Sequence, residues 1–385
     1  MQVQVANFPH MNKYPAMNRH VVAISLGIVL LQGVLVVGRA GAEPPQRYER
    51  VTTFMVNGPQ NPTTEMQRVL DHYSRLVPKP IQMLTPDEAR RQPTWADALR
   101  EMLKERGRPG DPEPVARVVD RVIAGPAGEI KVRIYTPEGG GPFPLIVYFH
   151  GGGFVIGDLD SYDASPRALA NAARAVVISG HYRQGPEARF PAASDDAFAV
   201  YEWARAQAGE VNGDPLRVAV AGEGAGGNLA AGICVRARDS RGPMPLHQLL
   251  IYPLLDSRTD TPSYAENATV SPFGQPLVEW FLKHSVSVED RTKPRFAILR
   301  TPDFRDLPPA TIITAQIDPL RFEGETYARK LREANVPVAL REYNGVTHDF
   351  FGLGAVVPQA KSAVVFAGGR LQQAFTDADT SWRRW

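Results

Sequence analysis

The sequence predicts an α/β fold with a mostly parallel central sheet, helices on both faces of that sheet and a helical cap. Two observations lead to this prediction. Short apolar runs alternate along the chain with segments of helical periodicity, which is the pattern of a parallel sheet covered on both faces. A polar helical stretch precedes the first strand-like run, and a second long segment interrupts the alternation of strands and helices. At 385 residues and 43% apolar composition, the chain can bury a sizeable core.

The first 42 residues have the composition of an export signal. Lys13 and Arg19 precede an apolar run over 21–37, and Ala-Gly-Ala follows at 40–42. A basic start, an apolar middle and a small-residue end are the parts of a secretory signal peptide. We therefore expect residues 1–42 to be removed on export to the periplasm or the extracellular space. The apolar run is slightly long for such a signal, so an uncleaved membrane anchor is the alternative.

The remaining residues, 43–385, are expected to form one α/β domain whose cap comes from about 62–110 and 257–300. In the first cap segment, Met66, Leu70 and other apolar residues recur near helical spacing. The second segment contains one helical pattern near its middle. Because neither segment takes part in the alternation of strands and helices, we expect both to lie over the sheet.

Strand and helix patterns account for the rest of the domain. Residues 115–123 and 129–135 are rich in β-branched residues and are separated by a glycine-bounded turn, which predicts a hairpin. Further short apolar runs, typical of buried strands, lie at 144–149, 175–180, 217–221, 248–252, 310–315 and 336–343. Helical patterns between or after them cover 165–174, 194–207, 226–238 and 324–334.

The charge and cysteine content exclude some classes of function. Basic and acidic residues nearly balance, at 43 and 41, which gives a formal net charge of +2. Nucleic-acid binding needs a concentrated basic surface, and the sequence has no long basic run, so we expect no nucleic-acid partner. The single cysteine, Cys234, excludes an intrachain disulfide and is expected to be a small core residue.

A glycine-rich loop follows the first of the predicted parallel strands. It consists of His150, the three glycines Gly151, Gly152 and Gly153, and Phe154. Because glycines have no side chain, their backbone N–H groups can approach a ligand closely. Two such donors aimed at one point would stabilise an oxyanion. We interpret His150 as a residue that holds this loop in place and not as a general base.

A second glycine-rich turn connects a predicted strand to a helix. Its sequence, Gly-Glu-Gly-Ala-Gly-Gly-Asn, starts at Gly222 and matches the strand-to-helix turn that presents a catalytic serine, except that Gly224 occupies the serine position. Glycine adopts the strained backbone of that turn without a penalty, so the fold should tolerate it. The neighbouring Glu223 is not expected to replace the nucleophile, since successive residues of a sharp turn point in different directions.

Two further residues complete a constellation for acyl transfer. Asp318 follows a predicted strand, and His348 lies in a loop after the next one. Along the chain, the strand-to-helix turn at Gly224, called the elbow below, comes first, then Asp318 and then His348. This is the order of the residues in an α/β-hydrolase triad. In such a triad the acid fixes the imidazole tautomer and stabilises its cation. We also expect Arg183 and Glu187, in the segment that follows the fourth strand, to pair and brace their loop.

These motifs together resemble the hormone-sensitive lipase family of the α/β-hydrolase superfamily, the bacterial type IV carboxylesterases. The His-Gly-Gly-Gly-Phe loop is intact, and so are the Asp-Pro-Leu segment at 318–320 and the His-x-Phe-Phe segment at 348–351. The Tyr-Arg-x-Ala-Pro-Glu pattern of the family occurs at 182–187 with Gly185 in place of alanine. The other departure from the family pattern is Gly224. All the other positions of the elbow match the pattern.

The resemblance implies an α/β-hydrolase fold and hydrolysis of small acyl or aryl esters without a metal or an organic cofactor. It assigns the acid to Asp318, the base to His348 and the nucleophile position to Gly224. The oxyanion donors correspond to the backbone N–H groups of Gly151, Gly152 and Ala225.

Two hypotheses about function remain open at this stage. The first is an ester hydrolase that the glycine makes weak or inactive, with a water activated by His348 as the remaining nucleophile. Gly224 is then either natural or a change introduced to trap a substrate. The second is a small-molecule binding protein on a hydrolase scaffold. A membrane partner is expected only if the signal is not cleaved, and a homodimer could form through the edge strand near Val336.

Overall fold

The computed structural model describes residues 61–77, 79–110, 112–268 and 270–381. The predicted signal segment, 1–42, lies outside the described residues. The described residues form one eight-stranded sheet. Its strands in chain order are β1 (Arg117–Gly125), β2 (Gly128–Thr136), β3 (Phe143–Phe149), β4 (Val176–Gly180), β5 (Gly213–Glu223), β6 (Gln248–Ile251), β7 (Ala310–Ile317) and β8 (Val338–Thr347).

The sheet is mostly parallel, which confirms the prediction. Across the sheet the strand order is β1-β2-β4-β3-β5-β6-β7-β8. The β1–β2 hairpin is antiparallel, and β2 joins β4 in antiparallel orientation, with Ile134 opposite Ile178. The pairs from β4 through β3, β5, β6 and β7 to β8 are all parallel. The carboxyl ends of these parallel strands therefore meet at one edge, where the loops after them can converge.

Helices cover both faces of the sheet. They are α1 (Thr64–Leu76), α2 (Pro86–Arg90), α3 (Trp95–Glu105), α4 (Ala164–Ala173), α5 (Ala192–Ala206), α6 (Ala225–Asp239), α7 (Pro262–Glu266), α8 (Gln275–Ser285), α9 (Arg321–Glu333) and α10 (Pro358–Ser381). Strand and helix patterns predicted from the sequence fall within these elements to within a few residues. Within the described part of the chain, no helix has the length and apolarity needed to cross a membrane.

Alternate residues of β3 belong to different apolar clusters. Leu145 and Val147 pack with residues of α5, α6 and α9, whereas Ile146 and Tyr148 pack with residues of α4 and α10. Successive side chains of a strand point to opposite faces, so these two clusters are the two faces of the sheet. The near-continuous apolar character of the central strands follows from burial on both sides. Cys234 is a fully buried member of the first cluster.

The two predicted cap segments are helical, and they pack against each other. Ile81 and Ala89 from the first segment form a small apolar cluster with Leu277, Trp280 and other residues from the second. The indole nitrogen of Trp280 donates to the carbonyl oxygen of Leu84 at 3.1 Å. Two stretches far apart in sequence thus make one layer, which also contacts the loop after β3 through Val155.

Candidate active site

Gly224 occupies the turn between β5 and α6. Its backbone dihedrals are φ +52° and ψ −113°, a conformation that residues with side chains rarely adopt. The turn is held in place because the Gly224 N–H donates to the Ile251 carbonyl at 3.0 Å and its carbonyl accepts from the Leu254 N–H at 3.0 Å. A Cβ atom built on Gly224 would lie 3.2 Å from Nε2 of His348. The side-chain position of residue 224 therefore faces a histidine nitrogen.

Asp318 and His348 form a buried pair. Nδ1 of His348 lies 2.8 Å from Oδ2 of Asp318, and the exposed fractions of the two residues are 5% and 0%. The other carboxylate oxygen of Asp318 accepts from the Leu320 N–H at 2.8 Å. With both oxygens engaged, the carboxylate fixes the orientation of the imidazole. Nε2 is thereby left directed toward residue 224.

The surroundings of His348 favour its protonated form. Burial opposes the charge, but the carboxylates of Asp318, Asp349 and Glu223 outweigh burial and raise the pKa of His348 above its ordinary value. Oδ1 of Asp349 lies 3.9 Å from Nε2. The ring of Phe273 stacks on the imidazole with centroids 3.8 Å apart and planes 7° from parallel. His348 is thus held between two carboxylates under an aromatic ring.

The glycine loop after β3 contributes free backbone donors. No hydrogen-bond acceptor for the N–H groups of Gly151, Gly152 or Ala225 occurs among the described residues. Ala225 is the first residue of α6, so its N–H also lies at the positive end of the helix dipole. Gly152 has φ +92°, and a Cβ there would lie 2.0 Å from the carbonyl oxygen of Ile156. Only glycine fits at that position.

His150 lies in the base of this loop and is fully buried. Its Nδ1 lies 2.8 Å from the Gly151 carbonyl oxygen, and its Nε2 lies 3.1 Å from Nδ1 of His181. The ring stacks on Tyr182 at a centroid distance of 4.5 Å. Burial lowers the pKa of His150 to about 3, so the ring is neutral near pH 7. Gly153, the third glycine, packs against Phe281 so closely that a Cβ would lie 2.1 Å from the ring.

The Glu223 side chain is occupied by two tyrosine hydroxyls. Tyr148 donates to Oε1 at 2.5 Å, and Tyr252 donates to Oε2. The residue is 1% exposed, and burial raises the pKa of its carboxyl above the ordinary range. These hydrogen bonds connect β5, which carries Glu223, to β3 and to the segment after β6. Both carboxyl oxygens of Glu223 are therefore engaged in hydrogen bonds.

The expected pairing of Arg183 with Glu187 is wrong. Arg183 instead donates through Nη2 to the buried Asp196 at 2.8 Å. Glu187 pairs with Arg90 at 2.7 Å, and Arg90 also donates to the carbonyl oxygens of Val155 and Gly185. The loop is therefore tied to the N-terminal cap segment, a long-range partner that local sequence does not indicate.

A cavity of about 700 Å³ opens onto these residues. Gly224, Ala225 and His348 lie in its wall together with Gly152 and Gly153 of the glycine loop after β3. Both cap segments supply apolar parts of the lining, among them Ile81, Leu99, Leu277 and Phe281. A cavity of this size encloses a small organic molecule.

The sequence reasoning missed several residues that shape this site. Asp349 directly follows the predicted histidine, and this adjacency was the one sequence signal for it. Its place in the cavity wall depends on a backbone with φ +63°. Phe273 lies in a cap loop, and nothing in its local sequence points to His348. Tyr148 and Tyr252 resemble ordinary strand residues, and only their placement on both sides of Glu223 identifies their role.

The arrangement combines a base, an orienting acid and unpaired backbone donors around one point of a cavity. A base facing a reacting atom and donors near the developing negative charge are what acyl transfer requires. The hydroxyl that would attack first is absent from residue 224.

Comparison with known proteins gives the same family. A family model described as the alpha/beta hydrolase fold matches residues 146–352. The chain is 41% identical to the esterase LipI of Mycobacterium tuberculosis over 69% of its own length and 85% of the relative's. It is 34% identical to an ethyl acetate hydrolase of Pseudomonas putida, covering 76% and 92% of the two chains.

A solved structure supports this assignment. The hyperthermophilic esterase from Pyrobaculum calidifontis is 33% identical, and the alignment covers 80% of this chain and 96% of that one with a TM-score of 0.72. The chain therefore belongs to the hormone-sensitive-lipase-like family of the α/β-hydrolase superfamily.

Proposed function

We propose that the chain is a carboxylic ester hydrolase for small or short-chain acyl and aryl esters, and that Gly224 makes its hydrolysis weak. The observation that carries this proposal is the orientation of His348. Its Nε2 lies 3.2 Å from the position that a Cβ of residue 224 would occupy, and its Nδ1 is paired with Asp318. A base paired with an acid and directed at this position suits proton transfer, which binding alone does not require.

The proposed roles follow the geometry. Asp318 orients His348 and stabilises its cation, and His348 takes a proton from an attacking water. The N–H groups of Gly151, Gly152 and Ala225 would stabilise the oxyanion. His150 and Gly153 support the loop, and Glu223 ties the strands beneath the elbow.

Water would replace the serine hydroxyl as the nucleophile. In a serine protease, removing the nucleophile lowers turnover by about 10⁶ but leaves about 10³ to 10⁴ over the uncatalysed reaction. At about 1.36 kcal/mol for each factor of ten, that loss corresponds to roughly 8 kcal/mol of transition-state stabilisation. We therefore expect slow but measurable hydrolysis that depends on His348.

The names of related proteins support the substrate class. Relatives of this chain are named esterase, carboxylesterase, arylesterase and ethyl acetate hydrolase. Apolar residues of both cap segments, among them Leu99, Leu277 and Phe281, line part of the cavity, which suits an uncharged acyl or aryl group. No metal or organic cofactor is needed for the chemistry proposed here.

A binding protein is the second candidate, and Gly224 is the observation that favours it. Without the hydroxyl, an ester in the 700 Å³ cavity would remain bound instead of acylating the protein. The two candidates differ in what His348 does. In the hydrolase it is a base, whereas in the binding protein its replacement would alter affinity alone.

The test is hydrolysis of a short p-nitrophenyl ester by this chain and by His348→Ala. Product release above the rate of the variant supports the hydrolase. Equal rates in both proteins, together with saturable binding of the intact ester, would favour the binding protein.

We also propose that the protein is exported and that residues 1–42 are removed. Sequencing the N-terminus of the protein recovered from the medium or the periplasm tests this, and retention in the membrane fraction would favour the anchor. A homodimer through β8, the edge strand of the sheet, is a further proposal that sedimentation measurements can test.

A further inference from the structure

We propose that Asp349 is a further catalytic residue, and that Asp349 and His348 together hold the water that attacks the ester carbonyl. This inference rests on the proposed function, because the proposed hydrolysis uses the same water and the same base. It adds a second acceptor for the hydrogens of that water. It also gives a task to a carboxylate that the arrangement of Gly224, Asp318 and His348 does not use.

The carboxylate of Asp349 lies beside the nitrogen of His348 that faces residue 224. Oδ1 of Asp349 is 3.9 Å from Nε2, which is too far for a direct hydrogen bond. A water oxygen about 2.8 Å from both atoms would see them at an angle of about 90°. The two O–H bonds of water make only a slightly wider angle. One water molecule can therefore donate to both atoms in nearly linear hydrogen bonds.

Two acceptors would fix the orientation of the water as well as its position. A water that donates both hydrogens has its lone pairs directed away from the two acceptors, and a lone pair is what bonds to the carbonyl carbon. A serine hydroxyl is held by its covalent attachment to the chain, which Gly224 cannot provide. The second hydrogen bond, to Asp349, replaces part of that constraint and so lowers the entropy lost in the attack.

The Asp349 side chain is itself held in position. The hydroxyl of Tyr162 donates to Oδ1 at 3.1 Å. Burial raises the pKa of Tyr162 well above its ordinary value, so this donor stays protonated. Tyr73, a second tyrosine close enough to be influenced by Asp349, also has a pKa raised by burial. An ionised carboxylate oxygen has two lone pairs, so Oδ1 can accept from Tyr162 and from water together. The side chain is 18% exposed and belongs to the cavity wall.

This pair of acceptors lies next to the backbone donors of the glycine loop. A Cβ built on Gly151 would lie 2.5 Å from the hydroxyl oxygen of Tyr162. A Cβ built on Gly224 would lie 3.2 Å from Nε2 of His348 and 3.9 Å from the Cα of Gly151. The loop, the elbow, the histidine and the tyrosine that holds Asp349 are thus neighbours. A water between His348 and Asp349 would lie where the carbonyl of a bound ester has to reach the loop.

The charges around His348 decide which part of a pH profile reports on the water. Burial lowers the pKa of His348, but the carboxylates of Asp318, Asp349 and Glu223 raise it above its ordinary value. The ring of Tyr252 also faces the imidazole, at a centroid distance of 4.6 Å. Removing the charge of Asp349 should therefore move the midpoint of the rate profile to lower pH. The plateau above the midpoint does not depend on this shift, so it measures the hold on the water.

The proposed step balances without a further reagent. Nε2 of His348 removes one proton of the water as the water oxygen bonds to the ester carbonyl carbon, and backbone N–H groups hold the resulting oxyanion. The bond to the alkoxy or aryloxy group then breaks, and His348 returns the proton to that leaving oxygen. The second hydrogen of the water stays on the acid product, because Asp349 only accepts its hydrogen bond. An ester and water thus become an acid and an alcohol or phenol.

The experiment compares two replacements of Asp349 across pH, with p-nitrophenyl acetate as substrate and His348→Ala as the blank. Asp349→Gly removes the carboxylate at a backbone with φ +63°, which glycine adopts freely. Asp349→Asn keeps an acceptor oxygen of the same shape without the charge. We expect the plateau rate of Asp349→Gly to fall by at least about tenfold, because the orientation of the water is lost. Asp349→Asn should lie between that variant and the present protein.

Asp160→Asn is the matched control for a lost carboxylate. Asp160 also belongs to the cavity wall, but its side chain is 81% exposed and pairs with Arg133. Its replacement should leave the plateau rate unchanged. A fall equal to that of Asp349→Asn would show that any charge lost from the cavity wall slows the reaction, and would overturn the role of Asp349.

A second comparison uses the Gly224→Ser variant. There the first release of p-nitrophenol comes from attack by the serine hydroxyl, and water is needed only afterwards, to remove the acyl group from the serine. Adding Asp349→Gly should therefore slow the second step far more than the first, and p-nitrophenol should appear in a burst. An equal fall in both steps would show that Asp349 acts on His348 and does not hold the water.

The outcomes separate this inference from the proposed function. If hydrolysis depends on His348 but Asp349→Gly has the plateau rate of the present protein, the role of Asp349 is wrong and the hydrolase stands. If neither the present protein nor the Asp349 variants exceed the His348→Ala blank, both are wrong.

Discussion

Replacing Gly224 with alanine should destabilise the protein, because the elbow requires a backbone that alanine resists. The residue has φ +52° and ψ −113°, and holding a non-glycine residue in such a region costs about 1–3 kcal/mol. Alanine also restricts the unfolded chain, which by itself stabilises by about 0.4–1 kcal/mol. The difference is a net loss of between about 0 and 2.6 kcal/mol, with a midpoint of about 1.3 kcal/mol. The new Cβ, 3.2 Å from Nε2 of His348, adds a contact that the histidine must yield to.

Two other glycines separate the causes. Gly107 has φ +64° with no atom within 4 Å of a built Cβ, so Gly107→Ala measures the backbone effect without a contact. Gly209 has no positive φ and equally open surroundings, so Gly209→Ala should be neutral or stabilising by about 0.4–1 kcal/mol. Urea denaturation, followed by circular dichroism, gives the three free energies of unfolding. If Gly224→Ala unfolds at the same urea concentration as Gly209→Ala, the elbow is not strained.

Three further predictions concern His348, the glycine loop after β3 and the cap. Residual hydrolysis needs neutral His348, so its rate should rise with pH through a midpoint above the ordinary histidine pKa of about 6.5. Asp318→Asn should move that midpoint to lower pH, and an unmoved midpoint would show that another group titrates. Gly152→Ala should abolish residual hydrolysis and lower the urea midpoint strongly, since its Cβ would lie 2.0 Å from the Ile156 carbonyl oxygen; normal activity would contradict the loop geometry. Arg90→Ala should lower the free energy of unfolding by about 1–3 kcal/mol in the same denaturation assay, because two partly buried carbonyls and Glu187 lose their hydrogen-bond donor. An unchanged free energy of unfolding would mean that the cap is held by its apolar contacts alone.

The fold could be predicted from sequence because its signals are local and repeated. β7 is buried at every position, and its sequence of mostly apolar residues with few polar ones is what a strand covered on both faces requires. The β1–β2 hairpin was likewise indicated by two β-branched runs around a glycine turn, with Gly125 opposite Gly128.

The candidate site was partly predictable for a different reason. The glycine loop, the elbow, Asp318 and His348 each carry a short pattern whose residue types are dictated by chemistry. The contacts between distant segments carry no such pattern. Arg183 could be expected to pair with its neighbour in sequence, yet Asp196 lies one helix away and is buried, so it attracts the guanidinium more effectively.

Residues that act through position were the ones that the sequence could not indicate. Phe273 is ordinary in its own loop and becomes part of the site only because the cap segment folds back over His348. Asp349 depends on a positive φ that aspartate tolerates better than most residues. Both depend on tertiary packing, which motif matching does not describe.

The central claim is that one hydroxyl separates this protein from an efficient esterase. Gly224→Ser supplies it, at a backbone cost similar to that of alanine, and its initial rates on a short p-nitrophenyl ester can be compared directly with those of the present protein. We expect the serine variant to be faster by several orders of magnitude, up to about 10⁶. A folded serine variant with the same rate as the present protein would contradict the claim, because it would show that the base or the oxyanion donors are not in working positions.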